Sequence, residues 1–361
     1  MFIRELSIYN FRNISQARLE ISNPVSLIYG PNGSGKSSVL EAIYYLALCR
    51  SFRASMATYL IQSDQPSFVL NAKITEKTSS VTTDTSVGVQ RGRSDDAVIS
   101  IDGTKTTHLS DLVDRICVQL IYPHSSDLIV HEPELRRNFI DWGVYYHFPQ
   151  FNDMYSRYRK CIKQRNSLLK SRAPDEQIVV WDEMLAGLSV QINALRRDYL
   201  ALFSPCADEI TRDFFVDRSF TFELSNGYPD DDNLIDILAK NLEKDRMLGY
   251  TFYGCHRADI KIKTNGVPAG AVLSRGQLKL LICAMRLAQG VLLNSSIGRN
   301  CIYLFDDFNS ELDSNSQHVL LDHLTQLNTQ VFITNISNNI AFPDGLKVGL
   351  YEINNGIITS L

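Results

Sequence analysis

The chain opens with short segments in which apolar and polar residues alternate, the pattern of half-buried β-strands. Residues 2–8 and 17–21 alternate in this way, and residues 25–29 form a short apolar strand that ends in a glycine-rich turn. Residues 38–49 then carry apolar side chains at helical spacing, and short β-like runs return between 65 and 122. The first third of the chain therefore predicts α/β structure that is rich in strands.

The pattern changes near residue 131, and from there to about 245 most of the chain has helical periodicity. Residues 150–172 and 178–203 carry apolar residues at helical spacing, with many charged residues between them. This part of the chain predicts a mainly α-helical segment inserted between two α/β segments.

After about residue 250 the α/β pattern returns. Residues 276–293 predict an apolar helix, and residues 301–305 and 330–334 predict strands. The predicted fold class is α/β, with one head formed by the N- and C-terminal segments and a helical arm between them. The predicted bounds are 1–135 for the first part of the head, 136–245 for the arm and 246–361 for the second part.

Composition narrows the class of protein. The 361 residues carry a net charge of −4 and are 44% hydrophobic, which is ordinary for a globular protein and excludes a uniformly basic nucleic-acid binder. The seven cysteines are dispersed, which favours reduced thiols over a disulfide framework or a zinc site. No apolar run approaches the ~18–20 residues of a membrane helix, and the first residues do not form a secretory signal. We therefore expect a cytoplasmic protein with no membrane partner.

The strongest chemical signal is a match to the phosphate-binding pattern G-x-x-x-x-G-K-[ST], which lies between a predicted strand and a predicted helix. Glycines let backbone N–H groups face phosphate oxygens, and the helix N-terminus adds partial positive charge. The alternative, a glycine-rich turn with a chance lysine, does not explain the flanking strand and helix. We expect Lys36 to reach the β- and γ-phosphates of ATP and Ser37 to bind Mg²⁺. The predicted nucleotide-binding residues are Gly30, Pro31, Asn32, Gly33, Ser34, Gly35, Lys36 and Ser37.

A carboxylate that helps to hold Mg²⁺ is expected near this loop, and the strand at 301–305 ends in two acids. We expect Asp306 to lie on the metal side and Asp307 to polarise the attacking water. Two acids that follow a strand are also common in turns, so this interpretation depends on the phosphate loop. A GTPase is disfavoured because the sequence has no N-K-x-D motif.

Ser274, Gly276 and Gln277 come at the start of the predicted apolar helix, which is a second arrangement suited to an anion. The simpler alternative is that Ser274 is only a helix N-cap. The series Ser274-x-Gly276-Gln277, Asp306-Asp307 and Ser310–Asp313 resembles the signature motif, Walker B strand and D-loop of ABC-type ATPases. That resemblance implies that Ser274 closes over ATP held by a partner copy, and hence that ATP drives formation of a homodimer.

The helical segment between Lys36 and Ser274 disfavours a transporter ATPase and is similar to the split head of SMC-like DNA repair ATPases. One ordered series of motifs narrows this further: Asn10-Phe11-Arg12-Asn13-Ile14, the phosphate loop, Leu40-Glu41-Ala42-Ile43-Tyr44, Ser51-Phe52-Arg53, Arg136-Arg137-x-Phe139-Ile140-Asp141, Gly254-x-His256-Arg257-x-Asp259, Ser274-x-Gly276-Gln277 and Asp306-Asp307-Phe308-x-Ser310-Glu311-Leu312-Asp313. With these motifs the chain resembles, over residues 2 to about 334, one such family, the RecF proteins.

The resemblance implies a weak DNA-dependent ATPase that binds single-stranded, gapped or duplex DNA. It would act with RecO and RecR to load RecA in recombinational repair, replication restart and the SOS response. The resemblance also implies that Arg12 and Asn13 reach the adenine or the phosphates. Two rival functions stay open at this point: a nucleotide-gated DNA clamp with incidental hydrolysis, and, more distantly, an ABC transporter ATPase.

The sequence departs from the family pattern in places. Tyr122–Leu128 stands where Pro-Glu-Asp-Leu is expected, and Cys255 replaces the usual proline before His256. No switch histidine of the transporter type follows residue 331, which leaves Asn335 as a candidate γ-phosphate sensor. Gln119 is a candidate Q-loop residue, although a single glutamine near a strand is often incidental.

Residues 155–172 contain seven basic residues and no acid. On a helix they would form a positive face suited to DNA phosphates, although most charge runs are simply solvated helix faces. His256 and Arg257 could sense nucleotide or DNA, or serve a structural role at a strand end. The predicted DNA contacts are Arg157, Arg159, Lys160 and Lys163.

Overall fold

The computed structural model describes the whole chain except residues 78–81, 95–96, 107, 231 and 310–313 and the side chain of Lys77. The predicted D-loop, Ser310–Asp313, therefore lies outside the described residues. The chain divides into two compact units. We call Met1–Ser125 with Gly298–Leu361 the composite unit and Ser126–Ile297 the inserted unit.

The N-terminal part of the composite unit is dominated by strands, as its alternating pattern predicts. Its 3-10 turns are Ala57–Leu60 and Pro123–Ser126. Its other described elements are β1 (Phe2–Phe11), β2 (Ile14–Glu20), β3 (Val25–Tyr29), α1 (Lys36–Leu48), β4 (Ser67–Lys77), β5 (Thr82–Gly92), β6 (Val98–Ile101), β7 (Thr104–Thr106), α2 (Leu109–Val113) and β8 (Val118–Ile121).

The inserted unit is mainly helical and also contains short strands and the 3-10 turn Cys255–Arg257. Its described elements are α3 (Asp127–Val130), α4 (Pro133–His147), α5 (Phe151–Lys170), α6 (Asp175–Phe214), β9 (Phe220–Ser225), α7 (Leu234–Lys240), α8 (Leu242–Leu248), β10 (Asp259–Thr264), β11 (Val267–Pro268), α9 (Ala269–Val272) and α10 (Arg275–Ile297). The C-terminal part of the composite unit follows as β12 (Ile302–Phe305), α11 (Ser314–Gln326), β13 (Gln330–Asn335), β14 (Val348–Asn354) and β15 (Ile357–Ser360).

Two sheets organise the composite unit. One has the strand order β2-β1-β4-β5-β6-β7 with antiparallel pairs, and the other has the order β15-β14-β3-β13-β12-β8. In the second sheet every pair is parallel except β14 with β15. Helix α1 contacts strands of both sheets, and its buried side chains, among them Val39, Ile43 and Leu46, join one hydrophobic core with both. This confirms the predicted α/β fold class.

The order of the parallel strands decides where polar residues meet. Strand β13 lies between β3 and β12, and all three run in the same direction. The segments that follow their carboxyl ends therefore emerge at one edge of the sheet, where ligands bind in open α/β sheets. The phosphate loop, the Asp306-Asp307 pair and the end of β13 are those segments.

The inserted unit is built on α6, a helix of 40 residues against which α5, α10 and α4 pack. A three-stranded antiparallel sheet of the order β11-β10-β9 belongs to the same unit. The inserted unit therefore covers more residues than the predicted arm at 136–245. Residues 246–297 pack with it because β10 pairs with β9 and α10 lies against α6. The helical prediction also missed β9 itself.

Within the described residues, α6 and α10 are long and apolar enough to cross a membrane by length and composition alone. This qualifies the expectation that no apolar stretch approaches that length. Half of the most apolar window of α6 and 67% of that of α10 are buried inside the protein. Core helices of soluble proteins have the same properties, so these two helices are weak grounds for a membrane span.

Candidate nucleotide site

The phosphate loop follows β3 and leads directly into α1, and its backbone requires glycine. Gly33 and Gly35 have φ values of 80° and 117°, which residues other than glycine rarely adopt. A Cβ on Gly30 would lie 2.1 Å from the carbonyl oxygen of Ile353 on β14. The motif glycines therefore allow both the turn and the close approach of a neighbouring strand.

Asn13 braces this loop from the turn between β1 and β2. Its Nδ2 donates to the carbonyl oxygens of Gly33 at 3.2 Å and Ser34 at 3.0 Å. Its Oδ1 accepts a hydrogen bond from Ser38 Oγ at 3.2 Å. Asn13 thus contacts the loop itself, and the role toward adenine or phosphates that the resemblance implies for it stays a prediction.

Lys36 points back over the loop. Its Nζ donates to the carbonyl oxygens of Gly30 at 2.8 Å and Pro31 at 2.9 Å. Partial burial lowers the pKa of the Lys36 ammonium, and the carboxylates of Asp307 and Asp306 oppose that change. The ammonium is therefore close to both the loop and the acids, where a triphosphate would compete for its hydrogen bonds.

Ser37 and Asp306 meet although they come from opposite ends of the chain. Ser37 Oγ donates to Asp306 Oδ1 at 2.8 Å, and Thr334 Oγ1 donates to the same oxygen at 2.8 Å. The backbone N–H of Asp307 in turn donates to Thr334 Oγ1 at 2.9 Å. A hydroxyl beside a carboxylate is a donor set that suits Mg²⁺, which takes few protein oxygens and keeps water or phosphate as its other ligands.

Larger clusters of metal-binding side chains are absent from the part of the chain that the structure describes: no group of three or more His, Cys, Asp or Glu residues is placed to hold a metal. The oxygen pair at Ser37 and Asp306 fits a cation that is also held by a nucleotide's phosphates.

Arg12 lies at the other side of the loop and is held firmly. Its Nε and Nη2 donate to the two oxygens of the fully buried Glu41 at 2.8 Å each, and its Nη1 donates to the carbonyl oxygen of Tyr59 at 3.0 Å. Ser51 Oγ also donates to Glu41. These contacts fix the segment around Tyr59 against α1.

A cleft of about 830 Å³ connects these groups, and its walls all belong to the composite unit. It contains the predicted Arg12, Asn13, Lys36, Ser37, Asp306 and Asp307 together with residues that sequence reasoning missed. Thr334 gave no motif signal, and neither did Tyr59, Ile61, Gln62 and Ser63, which also line the cleft. Arg53, from the Ser51-Phe52-Arg53 motif, lines it as well.

Ser274 lies in the inserted unit, exposed at the N-terminus of α10. Its backbone N–H donates to Gln277 Oε1 at 3.0 Å, and the Gln277 N–H donates to Ser274 Oγ at 3.3 Å. This reciprocal pair is a capping box, so the simpler interpretation of Ser274 as an N-cap describes its contacts here. Its predicted role toward a partner's nucleotide stays a prediction.

The basic run on α5 divides into two kinds of residue. The predicted DNA contacts Arg157, Arg159, Lys160 and Lys163 are exposed, and Arg159 and Lys163 are one turn apart on one side of the helix. Arg157 is about 160° around the helix from Arg159 at ~100° per residue. Arg165, in contrast, is fully buried and bonded to Asp182 and Asp245. A single positive face that includes all seven basic residues is therefore wrong.

His256 is partly buried, and both of its ring nitrogens are hydrogen-bonded. Its Nδ1 is 2.6 Å from the Tyr158 hydroxyl, and its Nε2 is 3.1 Å from the carbonyl oxygen of Thr251. Burial lowers the pKa of His256 to about 4, so the ring is neutral at pH 7. Asn335 Nδ2 donates to the carbonyl oxygen of Ser337, and Gln119 is buried within β8. Neither of these two candidates is among the described residues that line the cleft.

A glycine-rich loop of this geometry, at the edge of a parallel sheet joined through one helix to an antiparallel sheet, belongs to the ABC-type class of P-loop ATPase heads. The family model described as "RecF/RecN/SMC N terminal domain" matches residues 2–359. The chain belongs to the RecF family.

Relatives and solved structures agree with this assignment. The chain is 38% identical to the DNA replication and repair protein RecF of Psychromonas ingrahamii, over 99% of both chains. It is 40% identical to RecF of Mannheimia succiniciproducens, over 96% of this chain and 94% of that one.

A solved structure described as the recombination mediator protein RecF-ATPrS in the RecFOR pathway has a TM-score of 0.87 at 26% identity, covering 100% of this chain and 98% of that one. An Smc head domain from Pyrococcus furiosus has a TM-score of 0.59 at 15% identity, covering 100% and 96%, and shows the shared fold alone.

Proposed function

We propose that this protein binds ATP with Mg²⁺ in the cleft of the composite unit and hydrolyses it slowly as part of DNA repair. The observation that carries the proposal is the 2.8 Å contact between Ser37 Oγ and Asp306 Oδ1 beside the phosphate loop. It joins the predicted metal-binding hydroxyl to the predicted metal-side carboxylate. The solved RecF structures with ATP and with ATPrS support the choice of nucleotide.

Each residue of the cleft has a distinct task in this proposal. The loop's N–H groups and the Lys36 ammonium bind the β- and γ-phosphates, while Ser37 and Asp306 hold the cation. When bound, Mg²⁺ neutralises charge that develops on the phosphates. Asp307 accepts a hydrogen bond from the attacking water and orients it toward the γ-phosphate.

The Asp307→Asn substitution tests this assignment. It keeps the size of the side chain and removes the base, so we expect turnover to fall by roughly 100-fold with little change in ATP affinity. Hydrolysis is measured by phosphate release and affinity by equilibrium binding. Loss of turnover with DNA repair intact in cells would support the rival nucleotide-gated clamp, and loss of both would support an obligatory hydrolytic cycle.

Formation of a homodimer on ATP is the second part of the proposal. Ser274, Gly276 and Gln277 of one copy would complete the site of another, with the exposed α10 N-terminus directed at the γ-phosphate. Sedimentation at saturating ATP should then show a dimer for the wild type and a monomer for Lys36→Met. A wild type that stays monomeric at high protein concentration would overturn the composite site.

DNA binding on the exposed side of α5 is the third part. Arg159, Lys160 and Lys163 are all exposed, and each phosphate contact that is lost should reduce the salt dependence of binding by about one. We expect Arg159→Ala with Lys163→Ala to weaken duplex binding and to flatten its salt slope. The double change Arg197→Ala with Arg212→Ala removes the same charge from α6 and serves as the control. Equal effects of the two pairs would contradict a local DNA contact.

The cellular role follows from the relatives, whose names place them in DNA replication and repair. We infer that this chain acts in the cytoplasm with RecO and RecR, helps RecA to load at single-strand gaps and junctions, and supports the SOS response. Survival after ultraviolet irradiation of a bacterium that lacks its own RecF tests this. Rescue by the wild type and failure of Lys36→Met is the expected result.

A further inference from the structure

A second cleft, of about 370 Å³, lies within the inserted unit between α5 and the segment that follows α8. None of the residues that line this cleft lines the candidate nucleotide site. Of the family motifs, only the one that contains His256 and Arg257 contributes to it. Its volume is near the lower end of the range for small-ligand pockets. The lining residues that bear on its chemistry are Tyr155, Tyr158, Arg159, Tyr250, His256 and Arg257.

The cleft is cationic. Arg159 and Arg257 are exposed, and the described residues that line the cleft include no aspartate or glutamate. Since burial keeps His256 neutral, the two guanidinium groups set the charge of the cleft. A ligand with negative charge is therefore favoured.

The cleft also offers flat aromatic surfaces beside its charges. The Arg257 guanidinium lies over the Tyr250 ring at 5.4 Å and near the Phe252 ring at 5.9 Å. Tyr250 is 37% exposed. The neighbouring Lys244 Nζ lies 3.8 Å from the centre of the Phe252 ring. Alternating rings and cations of this kind suit nucleic-acid bases, which stack on tyrosine and on guanidinium planes while cations contact the phosphates.

A buried network holds the segment that carries these groups. The N–H and the hydroxyl of Thr251 both donate to Asn166 Oδ1 at 2.8 Å, and the Phe252 N–H donates to Asp245 Oδ1 at 3.0 Å. The two ring nitrogens of His256 are bonded on opposite sides. The backbone that carries Tyr250 and Arg257 is therefore held before any ligand arrives, which lowers the entropic cost of binding.

We propose that this cleft binds one unstacked base of a single-stranded nucleic acid. The base stacks on the outer side of the Tyr250–Arg257 pair, and Arg159 contacts an adjoining phosphate. An acidic peptide would satisfy the two arginines, but it would make no use of the exposed part of the Tyr250 ring. The proposal rests on the DNA-binding function proposed above and adds to it the place in the inserted unit at which one unpaired base is held.

The test compares one labelled duplex with and without a single-stranded overhang that carries 2-aminopurine. We expect the wild type to bind the overhang form more tightly and to quench the 2-aminopurine fluorescence. Tyr250→Ala should weaken binding of the overhang form roughly tenfold and abolish the quench, because one stacked base contributes about that factor. Tyr250→Phe should retain both, and blunt duplex binding should be the same for all variants.

Arg257→Ala should weaken overhang binding, whereas Arg212→Ala, an equal loss of charge on the same unit, should not. If Tyr250→Ala behaves as the wild type on the overhang, or if an acidic peptide competes while the overhang gives no quench, the cleft is not a base site. Failure of all DNA to bind would defeat the proposed function as well. Blunt duplex binding without any preference for the overhang would defeat this inference alone.

Discussion

Two polar clusters, one in each unit, join residues that are far apart in the sequence, and they differ in access to solvent. In the composite unit, Ser37 and Thr334 both donate to one oxygen of Asp306 at the wall of an open cleft. In the inserted unit, Arg165 is fully buried and donates to Asp182 at 2.5 Å and Asp245 at 2.6 Å. The first cluster keeps lone pairs available to a ligand, whereas the second is closed on itself.

The comparison teaches how to separate binding chemistry from structural chemistry. A buried ion pair among well-placed partners stabilises a particular packing and has no access to a ligand. An open cluster of hydroxyl and carboxylate beside a phosphate loop retains its capacity to bind a cation. Four substitutions follow in order of expected effect: three test this distinction, and one tests the cleft of the inserted unit.

Arg165→Met tests the closed cluster and should have the largest effect. Burial already raises the pKa of Asp182, and removing Arg165 would leave two buried carboxylates without their partner. We expect the free energy of unfolding to fall by roughly 3–5 kcal/mol. Chemical denaturation measures it.

Lys163→Met is the matched control, since it removes an exposed charge from the same helix and should change stability by less than ~0.5 kcal/mol. Similar losses for the two variants would mean that the comparison between a closed and an open cluster is wrong.

Lys36→Ala tests the open site. Because the ammonium is proposed to make charge-assisted hydrogen bonds to two phosphates, we expect ATP affinity to fall roughly 100-fold, or about 3 kcal/mol. Displacement of a fluorescent ATP analogue measures affinity. Lys347→Ala, an exposed change in the same unit, should leave affinity unchanged. A drop of less than threefold for Lys36→Ala would remove the lysine from the site.

His256→Gln tests whether the cleft of the inserted unit is held by a neutral ring. The pKa of His256 is near 6.5 when unfolded and about 4 when folded, so the unfolded state binds the extra proton. Wild-type stability should therefore fall as pH drops from 6.5 to 5, by up to about 2 kcal/mol from this group. Thermal unfolding of the variant should show less of this loss. Parallel pH curves for the two proteins would contradict a neutral buried ring.

Thr334→Val sharpens the description of the open cluster. The change keeps the shape of the side chain but removes the hydroxyl that bridges Asp306 and the Asp307 N–H. We expect turnover with Mg²⁺ to fall by at least roughly tenfold, because the lower end of the ~1.5–3 kcal/mol that one hydrogen bond to a charged group is worth corresponds to about that factor. Thr325→Val on α11 is the control. Normal Mg²⁺ dependence in Thr334→Val would show that the bridge has no role in catalysis.

That the residues of the candidate nucleotide site meet was predictable, because their signals are local. Glycines mark the loop, strands precede both the loop and Asp306, and parallel strands bring their carboxyl ends to one edge. That is why Ser37 and Asp306 could be paired from the sequence. Thr334 could not be found in this way, because a threonine at a strand end carries no distinguishing pattern.

The inserted unit was harder to predict because its contacts are not local. Arg165 belongs to a run of basic residues, and only its distant partners Asp182 and Asp245 decide that it is buried. Strand β9 pairs with β10, although helices α7 and α8 lie between them in the sequence. Periodicity therefore predicts neither the position of β9 nor the bounds of the inserted unit.

The strand order also determines when, during synthesis, the strand that presents the phosphate loop can gain its neighbours in the sheet. Strand β3, which presents the phosphate loop, is flanked by β13 and β14, and both follow α10 in the chain and are therefore synthesised after it. A polypeptide that has left the ribosome only as far as α10 contains every residue of the loop but neither neighbour of its strand. Such an unfinished chain also lacks Asp306 and Thr334, so we expect it to bind ATP far more weakly than the finished chain.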